Sequence, residues 1–459
     1  MHRFLFRRIP AWFLTTANSN KLGYSLTVIG FNLERTTMDT KQLPPVLEHV
    51  TASADKLAAC PTVKEALEAI LRDEKLTLAD QIAITEVEAP PFHEEGRAKD
   101  LVRRFRELGL TDVTIDPEGN VIGRRPGTRN GPTLVLGAHL DTVFPAGTDV
   151  RVREENGIYH APGISDDARG LAVILQVLRT MQEKNIQTIG DICFVCTVGE
   201  EGNGDLRGSK YLFLKSGMKI DGFISVDGVD VGRLLCAATG SKRYRVHFDG
   251  PGGHSWKNFG YASAIHAMGR AIAKIADVRP CEDPRTTFTC GTIVGGTTVN
   301  SIAAHCEMEL DMRSAGGKEL DEIEAQILPL IQAACEEENA RWGAEGDLAV
   351  KLTLEPIGHR PGGQQSDESS VLQAARAAMN ELGIELKKYD AASTDHNIAI
   401  HCGIPATTLG GGGAEGFNHN VKEWYDPKGG YLGAQLAFLT SLLLVGMQGV
   451  AEPLLKKRD

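Results

Sequence analysis

At 459 residues the chain is too long for one ordinary hydrophobic core, so two domains are expected. Hydrophobic residues at 42% and charged residues at 24% describe a globular enzyme or binding protein and exclude a disordered or fibrous chain. A net charge of −11 without a long basic block argues against a nucleic-acid partner, and the apolar pieces of the first 31 residues are too short and interrupted for a membrane span.

The chain opens with a stretch that has no acid before Glu34. Arg3, Arg7, Arg8 and the nearby hydroxyl residues would suit a targeting presequence. The favoured reading is instead a poorly structured extension over residues 1–40, with Met38 as the working start, of a cytoplasmic protein. Nine cysteines, odd in number and scattered, fit free thiols in a reducing compartment.

Regular patterning begins near residue 60. VKEALEAILRD (63–73) and HEEGRAKDLVRRFRELG (93–109) space their apolar residues as amphipathic helices. TDVTIDPEGNVIGRRPG (111–127) reads as two short strands about a turn at 117–120. PTLVLGAHLDTV (132–143) is nearly continuous in apolar character, as a strand buried on both faces of an α/β sheet must be. A helix follows at RGLAVILQVLRTMQEKN (169–185) and another buried strand at DICFVCTV (191–198), whose Cys193 and Cys196 read as packing. Further strands fit GFISVDG (222–228) and PATTLGG (405–411), and helices fit 370–383 and 431–448. This alternation predicts a three-layer α/β domain from residues 41–240 and 355–459. Between them, residues 241–354 run strand, helix, strand, strand, helix, strand, the order of a ferredoxin-like α+β unit inserted into the first domain.

The residues capable of chemistry cluster at strand ends. His139 and Asp141 close one strand as H-x-D, a spacing that puts both side chains on one face. Asp166 lies in GISDDARG just before a helix, where an N-cap would be the ordinary role. Glu200 and Glu201 follow the next strand, Asp227 ends GFISVDG, and His419 lies in GFNHNVKEWYD. Singly these are a cap, surface acids and a satisfied histidine. Jointly they sit beyond the carboxyl ends of strands, where open α/β sheets bind ligands. Histidine with carboxylates is the donor set of a zinc or similar divalent site. Two cations sharing a carboxylate would relieve the crowding of the adjacent glutamates, one glutamate acting as ligand and its neighbour as base.

Six short motifs in this order, HLDT (139–142), GISDDARG (163–170), GEEG (199–202), VDG (226–228), GGHS (252–255) and NH (418–419), resemble the dinuclear-zinc metallopeptidase family of tripeptidase T, carboxypeptidase G and the aminoacylases. The resemblance spans about residues 80–445. It implies a metal-dependent hydrolase that cleaves an amide bond of short peptides, with a deacylase of N-acyl amino acids or a carboxypeptidase as the alternative. A non-catalytic dimeric metal-binding protein is a more distant one, disfavoured by Glu200, which a binding module would not need. The resemblance assigns two divalent ions, zinc with manganese or cobalt possible. Asp166 would be shared between them, His139 and Asp227 would complete one site, and Glu201 and His419 the other. Asp141 would orient His139, and Glu200 would be the general base. A cis peptide is implied at Asp166–Asp167.

The inserted unit would be a lid and homodimer contact. His254 would reach the neighbouring subunit's site, and Asn300 and Arg313 would hold the substrate's carbonyl and carboxylate. The ordinary roles are a solvent-facing turn residue for His254 and an ion pair with Asp311 or Glu309 for Arg313. In relatives a glycine loop at the position of Gly410–Gly413 brings backbone amides to the substrate. Two departures stand out: Ala168 and Arg169 occupy the place where many relatives have Lys, and Asp227 is Glu in the carboxypeptidase-like and deacylase-like members. The second tilts the expectation towards peptides.

Overall fold

The run Thr133–His139 is buried along almost its whole length, and it is the axis of the larger sheet. It pairs in parallel with Asp191–Thr197 on one side and Gly222–Val226 on the other, and Gly222–Val226 pairs in parallel with Ala406–Leu409. Four parallel central strands therefore end at one edge. Val113–Ile115 and Val121–Arg125 extend the sheet antiparallel on the outer side of Asp191–Thr197. Arg233–Ala238, Gly363–Gln364 and Lys388–Ala392 complete the other margin of a nine-stranded sheet. This computed structural model describes residue 40 and residues 43–458, so the expected extension over 1–40 lies, apart from Thr40, outside the described residues.

Both faces are covered, because consecutive side chains of a strand point to opposite sides. Leu134, Leu136 and Ala138 pack with Leu171, Ile174 and Leu178 of the helix Ala168–Glu183 and with Phe438 and Leu442 of Tyr431–Val445. Val135 and Phe223 face the other way, onto Leu212 and Ala399. The fold is the expected α/β class. Cys193 and Cys196 fall into different core clusters, on opposite faces of their strand, and every cysteine is a free thiol.

A second sheet is built by Gly240–Asp249, Thr286–Gly295, His305–Ser314 and Lys351–Arg360. Its spatial order places 305–314 and 351–360 on either side of 240–249, with 286–295 outermost, and every pairing is antiparallel. The helices Ala264–Ala276 and Gly317–Trp342 cover one face, where Val246, Phe248, Met308, Leu310 and Met312 are buried with Met268, Ile323 and Ile327. The alternate residues, Arg245, His247, Glu307 and Glu309 among them, line the open face.

A small third sheet joins Arg153–Glu155 and Ile158–His160 to Trp424–Asp426 and Ala414–Gly416. These strands of three residues carry no periodic signal, yet they bring the loop before Asp166 beside the loop that holds His419. None of the described helices is long and apolar enough to cross a membrane.

Candidate active site

The parallel strands deliver their side chains to one cleft. His139 is the last residue of its strand, Asp227 follows Val226 directly, and Glu200 and Glu201 lie just past Thr197. Asp166 precedes the helix Ala168–Glu183, but it does not cap it. That role falls to Asp167, whose Oδ1 accepts from Gly170 N at 3.0 Å while Oδ2 accepts from His139 N at 2.9 Å. The peptide between the two aspartates is cis. The Asp166 carboxylate faces the cleft.

Its two oxygens are shared between two histidines. Oδ1 is 3.0 Å from His139 Nε2, and Oδ2 is 3.1 Å from His419 Nε2. His419 Nε2 also lies 2.9 Å from Glu201 Oε1. His419 holds a left-handed backbone with φ of 61°, uncommon outside glycine, which turns its ring towards these acids. Donor atoms of His139, Asp166 and Asp227 converge within 4.8 Å of one another, as do those of Asp166, Glu201 and His419, and of His139, Glu200 and Glu201.

The charge balance calls for cations. Burial pushes Glu200 well above the usual carboxylate range, with Glu201 reinforcing and Arg360 opposing the shift. Burial likewise raises Asp227 to about 7 against the attraction of His139. Burial disfavours charge on Asp166 too, yet the hydrogen bonds to His139 and His419 hold it below its ordinary value. Those to Asp166 and Glu201 lift His419 to about 11. Several buried acids face one space with two imidazoles, so the donor set fits a pair of divalent ions sharing Asp166.

The surroundings hold this set in place. Asp141 meets the His139 ring differently from the expected carboxylate contact. Its backbone carbonyl is 3.0 Å from Nδ1, its carboxylate Oδ1 is 3.6 Å away, and the carboxylate instead accepts from Glu200 N and Glu201 N at 3.0 and 2.8 Å. Asp141 thus braces the glutamate turn as well as the histidine. Arg169, fully buried, donates to Gly411 O at 2.8 Å and lies 3.3 Å from Glu74. Gly411 N and Gly412 N are bonded to Gly228 O and Val229 O, so these amides of the glycine loop are spent inside the protein.

Two residues of the cleft carried no sequence signal of their own. Arg360, the last residue of Lys351–Arg360, reaches from the second sheet to place Nη1 3.2 Å from Glu200 Oε1. Glu423 accepts from Gly163 N, Ser165 N and Asp166 N at 2.7, 2.9 and 3.1 Å and so shapes the loop that presents Asp166.

The remaining expected residues lie on the second unit. His254 is exposed on Gly253–His254, which pairs with Ser301–Ile302, so His254 and Asn300 share one small ribbon. Its contacts are local: Trp256 N donates to its Nδ1 at 3.2 Å, and its own N–H donates to Asn258. Arg313 makes the ion pair with Asp311, Nε to Oδ2 at 2.7 Å, and its side chain stays 46% exposed.

The four parallel central strands gather two overlapping histidine–carboxylate triads beside a further glutamate at their carboxyl edge, the arrangement expected of a metal-dependent hydrolase. Comparison with known proteins makes the class particular. The model of peptidase family M20/M25/M40 matches residues 135–442, more than half the chain, and the protein belongs to this family. It is 29% identical over 351 residues to the uncharacterized protein YqjE of Bacillus subtilis (strain 168), covering 73% of this chain and 90% of that protein. It is 24% identical over 352 residues to carboxypeptidase G2 of Pseudomonas sp. (strain RS-16), covering 73% and 81%. Among solved structures, a tripeptidase from Staphylococcus aureus superposes with a TM-score of 0.67 at 24% identity, over 80% of this chain and 97% of that one.

Proposed function

We propose that the protein is an exopeptidase that hydrolyses an amide bond of short peptides, with two divalent ions, zinc in the first instance and manganese or cobalt as substitutes. The observation that carries this reading is Asp166, which offers one oxygen to His139 and the other to His419 while Glu200 stands beside the ligands on a separate partner, Arg360. His139 and Asp227 would hold one ion, Glu201 and His419 the other, and Asp166 would serve both. When bound, the ions polarise the scissile carbonyl and make water a stronger acid.

Glu200 takes the proton from the attacking water and later returns it to the departing amine. Burial suits it to that task, since a carboxylate with a raised pKa is a better proton acceptor near neutral pH. Asp141 holds the backbone of both glutamates, so base and ligand keep their relative position. Asp227, where carboxypeptidase-like and deacylase-like relatives have Glu, favours peptides over N-acyl amino acids; the deacylase or carboxypeptidase reading keeps the same chemistry with a different pocket.

The unit over residues 241–354 serves as lid and homodimer contact in this reading, His254 crossing to the neighbouring site and Asn300 and Arg313 holding substrate carbonyl and carboxylate. Exposed apolar side chains support that contact: Ile293 and Val294 on the outermost strand, at 55% and 64%, and Val299 beyond it. The protein works in the cytoplasm, in keeping with nine free thiols. The test is to incubate metal-loaded protein with di- and tripeptides and N-acyl amino acids and identify the products by mass. Turnover should vanish on chelation and return with zinc or manganese; activity that survives exhaustive chelation would refute the mechanism.

A further inference from the structure

The open face of the second sheet carries another set of metal-type donors, apart from the cleft. Glu307 lies directly across from His247 in the strand pairing, and His305 across from Asp249. The His247 Nδ1 is 3.5 Å, and the His305 Nε2 3.6 Å, from the same atom, Oε2 of Glu307. Both separations are too long for good hydrogen bonds. They match the roughly 3.4 Å between two donors that each sit about 2.1 Å from one tetrahedral ion.

The outer nitrogens strengthen the case. His305 Nδ1 lies 2.7 Å from Asp249 Oδ1, and His247 Nε2 lies 3.3 Å from Glu355 Oε2. Each ring is therefore turned by a carboxylate on one nitrogen and presents the other inward, as metal-binding histidines do. Arg245 also reaches Glu355 at 3.3 Å and Glu309 at 2.9 Å, which leaves Glu307 as the acid between the rings.

We propose that His247 Nδ1, His305 Nε2 and Glu307 Oε2 form a separate binding site for a borderline divalent transition ion such as zinc, with a fourth position open to solvent. Two imidazoles and one carboxylate select such an ion over magnesium or calcium. The ion ties the strands Gly240–Asp249 and His305–Ser314 together across the open face, the face from which Arg313 also projects.

The test uses the full chain, saturated with zinc, freed of loose metal by gel filtration and assayed for zinc per chain by mass spectrometry. Wild type should carry one ion more than His305→Gln, however many the cleft holds. Asp249→Asn keeps all three donors but loses an orienting carboxylate, so it should bind that ion about 10- to 100-fold more weakly. His139→Ala should lose cleft metal and keep this ion, which separates this site from the reading of the cleft. Equal zinc content in wild type and His305→Gln would overturn the assignment. Should His305→Gln misfold, Glu307→Gln removes a donor from the same site and is read in the same way.

Discussion

Adjacent acids in this protein do different work because their neighbours differ. Asp167 caps a helix and accepts from His139 N, whereas the Asp166 carboxylate meets the rings of His139 and His419 and its backbone N–H donates to Glu423. Glu201 meets His419, and Glu200 meets Arg360. Glu200→Gln should therefore keep its metal and lose two or more orders of magnitude in turnover, roughly the cost of a missing general base. Glu201→Gln should lose metal from one site; equal metal content in the two variants, measured by mass spectrometry, would contradict the division. A second residue-scale expectation concerns His396, whose Nε2 donates to Ala237 O at 3.1 Å and whose Nδ1 accepts from Thr408 at 2.9 Å. Burial pushes its pKa down to about 4 from 6.5. As pH falls the unfolded chain takes up this proton first, so the stabilisation is complete above about pH 6.5 and is lost between there and about 4, by up to roughly 3 kcal/mol. Denaturant midpoints at pH 7.5 and 4.5 should differ less in His396→Gln than in wild type.

At the scale of elements, the strand Lys351–Arg360 does two jobs. Its first residues pair with Gly240–Asp249 to complete the second sheet, and its last residue supplies the cation beside Glu200. The second sheet is thus wired to the proposed base through the Arg360 guanidinium, which is buried. Removing a charged hydrogen-bond partner costs about 1.5–3 kcal/mol, or roughly 10- to 100-fold in a rate that depends on it. Arg360→Met should lower kcat by about that factor with metal content intact, and Arg360→Lys should recover part of it. A kcat that matches wild type in the Met variant would reduce Arg360 to a packing residue. The three-residue strands of the third sheet act likewise: by pairing Trp424–Asp426 with Ile158–His160 they set His419 and Asp166 at bonding distance.

For the whole molecule, the proposed reading requires two chains. His254 makes only local polar contacts within its own loop, among the described residues, and Trp256 beside it is 86% exposed. The protein should sediment as a dimer. In this reading His254 donates to the oxyanion that forms at the scissile carbonyl, worth about 3 kcal/mol, so His254→Ala homodimers, like Glu200→Gln homodimers that lack the base, should retain metal and be nearly inactive. Mixed and allowed to exchange subunits, they should form heterodimers in which one site lacks both groups and the other is intact. About half of wild-type activity per heterodimer should then return. Full activity of the His254→Ala homodimer would make this histidine a surface residue, and no recovery after proven exchange would assign it to its own subunit's site.

What the sequence determined by itself is whatever repeats locally. Burial on both faces makes a continuous apolar run such as 133–139 a central strand, and a chemical residue at the end of that run stands at the sheet's carboxyl edge. That is why His139, Glu200, Glu201 and Asp227 could be placed at one cleft, and why the strand and helix order of the second unit was legible. Only the tertiary structure decided the contacts between distant segments: Arg360 on Glu200, Glu423 on the Asp166 loop, and the glycine-loop amides turned inward onto Gly228 and Val229. The separations between such partners obey no period, and a buried charge takes its partner from whatever the packed elements bring within a few ångströms. The same holds for His247, which an antiparallel register sets opposite Glu307 and beside His305 of the neighbouring strand.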